Sequence, residues 1–280
     1  MSNFLQRTLT GMWIVIFVTG GLWIHPVSFY FTVLILLAGS QYEYYNIMRN
    51  IGVRPQIITG MITGIIAYTI STLVAAGVLT RTSYLILVPM MTVIMVIELY
   101  RKQENPFDSL AHTFFPLLYI VLPFSMFPYL AFARNGLGSL LYHPGITFSP
   151  GIILGFFILL WSNDTGAYLS GITFGKHKLF ERISPKKTWE GFFGGLILTV
   201  CVACLIAGKL GVVNIAGWII IALIITVSGT YGDLIESMLK RNAGVKDSGS
   251  ILPGHGGFLD RFDSVILSLP LVYLYISVFG

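Results

Sequence analysis

Apolar residues fill this chain in long blocks separated by short polar intervals. Nine blocks fall at about 9–24, 27–45, 57–77, 83–99, 112–132, 150–172, 190–208, 214–236 and 263–279. Each approaches the ~20 residues that a helix needs to cross a hydrocarbon core. Strands of a membrane barrel would alternate apolar and polar positions in much shorter pieces, and these blocks do not. The pattern therefore predicts an all-α, polytopic integral membrane protein with about nine transmembrane helices. Pro116, Pro123 and Pro128 predict a kink in the fifth span, with neighbours or water satisfying the carbonyls they free.

Composition agrees. The chain is 55% hydrophobic and 10% charged, with a mean hydropathy of +0.80; an ordinary soluble domain carries about 25% charged residues. The first block follows Arg7 as in a signal peptide, but no small-residue cleavage site is apparent and His25-Pro26 suits a helix turn, so it is expected to be the first span. Cys201 and Cys204 form a C-x-x-C inside an apolar block. With no soluble fold or further ligands around them, they are expected to be buried apolar residues.

The net charge of +5 says less than where the charges fall. With the N-terminus in the cytoplasm, fourteen Lys and Arg lie inside, and only Arg81, Arg134 and Lys209 lie outside. That bias supports the assigned orientation. It places two polar stretches, 173–189 and 237–262, on the cytoplasmic side. The interval 133–149, with His143, becomes an outside surface connection.

The run from Ser237 to Asp263, SMLKRNAGVKDSGSILPGHGGFLDRFD, is the densest in charge. Lys240, Arg241, Lys246 and Arg261 suit phosphate oxygens, while Asp247, Asp260 and Asp263 suit a hard cation such as Mg²⁺. Gly254, Gly256 and Gly257 around His255 let backbone amides approach a ligand. The plain alternative is a solvated loop between helices.

Just before it, Asp233, Glu236 and Lys240 share one helical face. Glu236 and Lys240 are expected to form a surface i,i+4 pair. Asp233 has no cation three or four residues on, so it needs a metal, a water-filled cavity or a partner from another helix. If the loop folds back, Asp233 and Asp260 could share Mg²⁺. Asp164, in WSNDTGAY, is an intramembrane carboxylate, and either function or an interhelical hydrogen bond would explain it. In the other polar stretch, Ser184, Pro185, Lys186, Lys187 and Thr188 suit a phosphate-binding turn leading into a helix. Plain topology or contact with anionic lipid would account for the same basic residues, and is preferred for Lys176 and Lys178.

The Ser237–Asp263 run closely resembles the signature of the phosphatidate cytidylyltransferases, or CDP-diacylglycerol synthases. It meets every position through Ser237, Lys240, Arg241, Lys246, Asp247, Gly249, Leu252, Pro253, His255, Gly256, Gly257, Asp260, Arg261 and Asp263. So long a pattern, with charges at fixed offsets, is far more specific than a lone Gly-rich turn. Asn163-Asp164-Thr165 and Ser184-Pro-Lys-Lys-Thr-Trp-Glu-Gly look like further segments of that family, so the resemblance covers roughly the last 120 residues.

The resemblance implies transfer of a cytidylyl group from CTP to phosphatidate, giving CDP-diacylglycerol and pyrophosphate. It implies Mg²⁺ on Asp233 and Asp260, with a second cation left open, and it alone suggests a homodimer. Residues 1–280 then form one membrane domain with a polar active-site cavity open to the cytoplasm. Residues 1–149 are mainly scaffold, and 150–280 carry the catalytic helices. In this reading Asp233, Asp260, Asp263, Lys240, Arg261 and His255 are catalytic. Asp164, Ser184, Lys186, Lys187, Thr188, Arg241, Lys246, Asp247, Gly256 and Gly257 bind substrate. The expected setting is the inner membrane, with the lipid bilayer as partner and no nucleic acid. Two alternatives stay open: a CTP-dependent transferase or kinase acting on another membrane lipid, and an ion-coupled transporter using Asp164 and Asp233.

Overall fold

Helices follow the order of the apolar blocks in the computed structural model, which describes residues 3–134, 146–210, 213–249 and 256–279. The first is α1 (Asn3–Trp23), and α2 (Pro26–Asn50) follows after a tight turn. His25 makes that turn by accepting the Val27 amide at 3.1 Å, and Pro26 sits where its missing N–H is not needed. Next come α3 (Ile57–Ala75) and α4 (Leu87–Arg101), the latter entered through a 3₁₀ turn at Arg81–Ile86.

The proline-rich block is broken rather than smoothly kinked. It consists of α5 (Pro106–Pro116), a wide π turn (Leu117–Val121), α6 (Leu122–Phe124) and α7 (Phe127–Ala131). Pro116 ends regular hydrogen bonding, while Pro123 and Pro128 each sit at the start of a new helical piece. A short hairpin of β1 (Phe132–Arg134) and β2 (Ile146–Phe148) then leads to α8 (Gly151–Phe174). His143 lies outside the described residues. A second hairpin, β3 (Lys178–Phe180) with β4 (Ser184–Thr188), precedes α9 (Trp189–Leu210), α10 (Ile215–Asn242) and α11 (Leu259–Phe279). The two hairpins are small additions to an otherwise helical fold.

Among the described residues, seven segments are long and apolar enough to cross a membrane, so the chain is a multi-pass membrane protein. The expected count of nine exceeds this by α1 and α2. The second half of α2 carries Gln41, Glu43 and Arg49, which lowers its hydropathy below that of the other segments.

The core forms where α2, the broken segment, α8, α10 and α11 meet, around the fully buried Phe29, Tyr44, Phe124, Phe127, Phe157 and Trp218. By contrast α4 and α9 turn much of their apolar surface outward, including Val93, Leu99, Ile197 and Leu205. Cys201 and Cys204 are free thiols on the outward face of α9, which corrects the expectation that they are buried.

Polar contacts tie the helix ends together on one side. Arg101 of α4 donates to Glu98 at 2.8 Å, to Ser109 at 3.0 Å and to the Arg54 carbonyl at 2.9 Å. Glu43 near the end of α2 reaches the start of α11, and Lys187 before α9 reaches α10. The connections carrying most of the basic residues therefore share one end of the bundle.

Candidate active site

Close helix packing brings the acidic residues together. At Gly232 on α10, an added Cβ would stand 2.6 Å from the Asp263 carbonyl and 3.1 Å from the Ser264 Cα. Only glycine admits the α11 backbone that closely, and this sets Asp233 beside Asp263. Ser228 and Ser268 hydrogen-bond across the same pair at 3.1 Å. On the other side, Gly166 of α8 faces the Gly194 carbonyl and the Gly195 Cα of α9 within 3.0 Å of where a Cβ would be. Asn163 and Asp164 lie within the preceding turn of α8. Gly232→Ala is expected to lower stability by about 1–3 kcal/mol, since backbone cannot yield as a side chain does. A thermal midpoint in detergent equal to wild type would contradict that.

Strand β4 delivers cations to these carboxylates. The Thr188 hydroxyl caps α9 by accepting the Gly191 amide at 3.1 Å, and His177 holds the hairpin through Glu190 at 2.6 Å. Lys187 then extends to Asp233, Nζ to Oδ2 2.7 Å. Asp233 thus finds its cation on a strand, not on another helix as expected.

Asp164, Lys186, Lys187, Thr188, Asp233, Asp260, Arg261 and Asp263 all line one cavity of about 490 Å³. Asp263 is only 8% exposed there and lies within the fields of Asp233, Glu236 and Asp164. The Asn163 amide oxygen, also buried, has no hydrogen-bond partner among the described residues. Crowded carboxylates at membrane depth call for cationic partners or a bound cation.

Lys240 is placed differently. Its ammonium lies between Glu236 Oε2 at 2.6 Å and Asp260 Oδ1 at 2.5 Å. Glu236 is fully buried, so the expected surface pair is in fact an interior link that continues to α11. The other oxygen of Asp260, Oδ2, accepts the Ser248 amide at 2.9 Å, the Ser248 hydroxyl at 3.0 Å and the Gly257 amide at 2.9 Å. Asp260 therefore closes the loop before α11 as well as facing the cavity. Gly256 enters that closure with φ +80°, a left-handed conformation that favours glycine.

Arg241, in the last turn of α10, and Lys246 and Asp247, on the connection after it, are exposed and do not line the cavity. Ser184 pairs with Phe180 in the hairpin, also away from the cavity wall. His255, with Leu252, Pro253 and Gly254, lies outside the described residues. Two contributors were not anticipated. Ser248 occupies a free position of the signature, and Glu43 lies in the second apolar block. An ionisable residue inside an apolar block was the available signal for Glu43.

No three carboxylate, His or Cys side chains converge as a ready-made cage among the described residues. Mg²⁺ does not need one, because it commonly takes one or two carboxylates and completes its shell with water and substrate phosphate. Asp233 and Asp263, hard oxygen donors on a cavity that also presents Lys186, Lys187 and Arg261, fit that mode. Asp260 would have to loosen existing hydrogen bonds to take part.

A multi-pass helical membrane protein whose polar cavity mixes carboxylates with phosphate-seeking cations is suited to handling anionic substrates at the bilayer surface. The chain belongs to the cytidylyltransferase family, whose model matches residues 5–279. Similar proteins include phosphatidate cytidylyltransferases of Staphylococcus epidermidis (42% identical over 173 residues), Staphylococcus saprophyticus (45% over 174) and Staphylococcus aureus (44% over 174). Each match covers 58% of this chain and 66% of the relative, a little under two thirds of its length.

Proposed function

We propose that this protein transfers the cytidylyl group of CTP to phosphatidate, giving CDP-diacylglycerol and pyrophosphate for phospholipid synthesis. The observation that carries this reading is the meeting of Lys186 and Lys187 with Asp233, Arg261 and Asp263 in one cavity. The names of the similar proteins support the choice of substrates.

In the reaction, a phosphatidate oxygen attacks the α-phosphorus of CTP and the bond to the pyrophosphate oxygen breaks. The attacking phosphate is already anionic, so no strong general base is required. The protein must align two polyanions and offset their charge. Lys186, Lys187 and Arg261 hold phosphate oxygens, and Asp233 keeps Lys187 aimed into the cavity until substrate competes for it. Asp263 and Asp164 form the acidic wall. Mg²⁺ would be held by Asp233, with Asp263 or a rearranged Asp260, and supplies charge neutralisation on the departing pyrophosphate. Lys240 orders Asp260 in place of contacting nucleotide. The protein resides in the inner membrane with its N-terminus and basic connections in the cytoplasm, the compartment that holds CTP.

Purified protein in detergent is expected to release pyrophosphate only when CTP, Mg²⁺ and phosphatidate are all present, with ATP and GTP substituting poorly. Folded protein that stays silent across several phosphatidates, yet moves solute in sealed vesicles without consuming CTP, would overturn the proposal in favour of transport.

A further inference from the structure

Glu43 is a carboxylate in the second half of α2, and it is 2% exposed. Its oxygens face backbone amides and a hydroxyl. Oε1 accepts the Phe258 amide at 2.9 Å, and Oε2 accepts the Leu259 amide at 2.9 Å and shares the single Ser248 hydroxyl proton, with Oγ at 2.9 Å, with Asp260 Oδ2. Leu259 begins α11, so the carboxylate sits on first-turn amides that have no partner within the helix. Ser248 lies within the same connection, between α10 and α11. One side chain from the N-terminal half thus holds the charged loop at Ser248 and at its junction with α11.

The fit is close enough to explain two of the signature's small residues. A Cβ on Gly249 would lie 2.5 Å from Glu43 Oε1, and one on Gly257 would lie 2.2 Å from Oε2. Glycine leaves the space that the carboxylate occupies. Gly39, one turn earlier on α2, gives the same clearance to the Phe258 ring. The Ser248 hydroxyl stands between Glu43 Oε2 and Asp260 Oδ2, at 2.9 and 3.0 Å. Glu43 is therefore one serine away from a carboxylate that faces the cavity, although it does not line the cavity itself.

We propose that Glu43 is a positioning residue for the reaction: through Ser248 and the Phe258–Leu259 amides it sets the loop geometry that presents Asp260 and Arg261 to the substrates. This rests on the cytidylyl-transfer reading above. A buried carboxylate bound to amides at a helix start and to a hydroxyl is a strong, directional clamp. Glutamine keeps the shape but replaces one acceptor oxygen with a donor, so at least one of the three bonds is lost.

The test compares wild type with Glu43→Gln, Ser248→Ala and the double variant carrying both in detergent, using pyrophosphate release, thermal midpoint and hydrogen exchange by mass spectrometry. Glu43→Gln is expected to lower kcat about tenfold to a hundredfold with little change in KM for CTP. Its midpoint should stay near wild type, with exchange rising only in peptides covering 248–260. Ser248→Ala should give a smaller loss, and the double variant should lose less than the product of the two single effects, since both act through one clasp. Unchanged kcat in Glu43→Gln would overturn the proposal. So would a loss accompanied by a lower midpoint and faster exchange throughout the bundle, the mark of a merely structural group. If wild type itself releases no pyrophosphate, the functional reading fails, and unaltered 248–260 exchange in Glu43→Gln would separately show that Glu43 does not hold the loop.

Discussion

Asp233→Asn is expected to reduce pyrophosphate release by about 10²–10³-fold, the scale on which removing one preorganised electrostatic group slows a reaction. The carboxylate stands 2.7 Å from Lys187 and lines the cavity with Asp164 and Asp263. Asparagine keeps an oxygen able to accept the Ser237 hydroxyl, which now meets Asp233 Oδ1 at 3.2 Å. It removes the charge that steadies Lys187 and that would hold Mg²⁺. The Asp233 side chain is 37% exposed, so neutralising it should not unfold the bundle. A midpoint close to wild type with turnover nearly gone is the anticipated pair of results. Near-normal turnover at saturating CTP and Mg²⁺ would remove Asp233 from the site.

Lys240→Met should have the largest effect on stability. The lysine side chain is 13% exposed, between Glu236 at 0% and Asp260 at 8%. Methionine fills similar volume but leaves two carboxylates without their shared cation. Breaking a buried ion pair on one side costs about 3–5 kcal/mol. The pair Glu236→Gln/Lys240→Met should recover part of that loss, because it removes one stranded charge while Asp260 keeps its Ser248 and Gly257 amides. Thermal unfolding in one detergent compares the three proteins. A single variant as stable as wild type, or a double variant worse than the single, would contradict the placement of Lys240 as an interior link. The outcome also bears on catalysis: a lysine held by two carboxylates is poorly placed to meet a triphosphate.

The apolar blocks and the charged run between them were plain in the sequence. In a bilayer, length and hydropathy are imposed by the hydrocarbon itself, so the helices could be placed without knowing their neighbours. A disturbance at Pro116, Pro123 and Pro128 was legible for the same local reason, since proline removes a backbone donor wherever it stands, but it was read as a kink and is a full break. The signature showed which charged residues to consider. Whether an apolar residue faces lipid or protein was not legible, because both surroundings are apolar. Cys201 and Cys204 turned out to point outward for that reason.

Tertiary structure decided how the charges are paired. Lys187 meets Asp233 across 46 positions of sequence only because β4 brings its side chain to α10. Glu43 meets Ser248 and Leu259 from more than 200 residues away. Pairing strength falls with distance and depends on burial, and both are properties of the packed bundle. The sequence by itself determined a membrane protein of many helices with a charged loop before the last of them. Only the packing of those helices decided that Lys240 serves the interior, that Asp260 closes the loop, and that the N-terminal half supplies Glu43 to hold it.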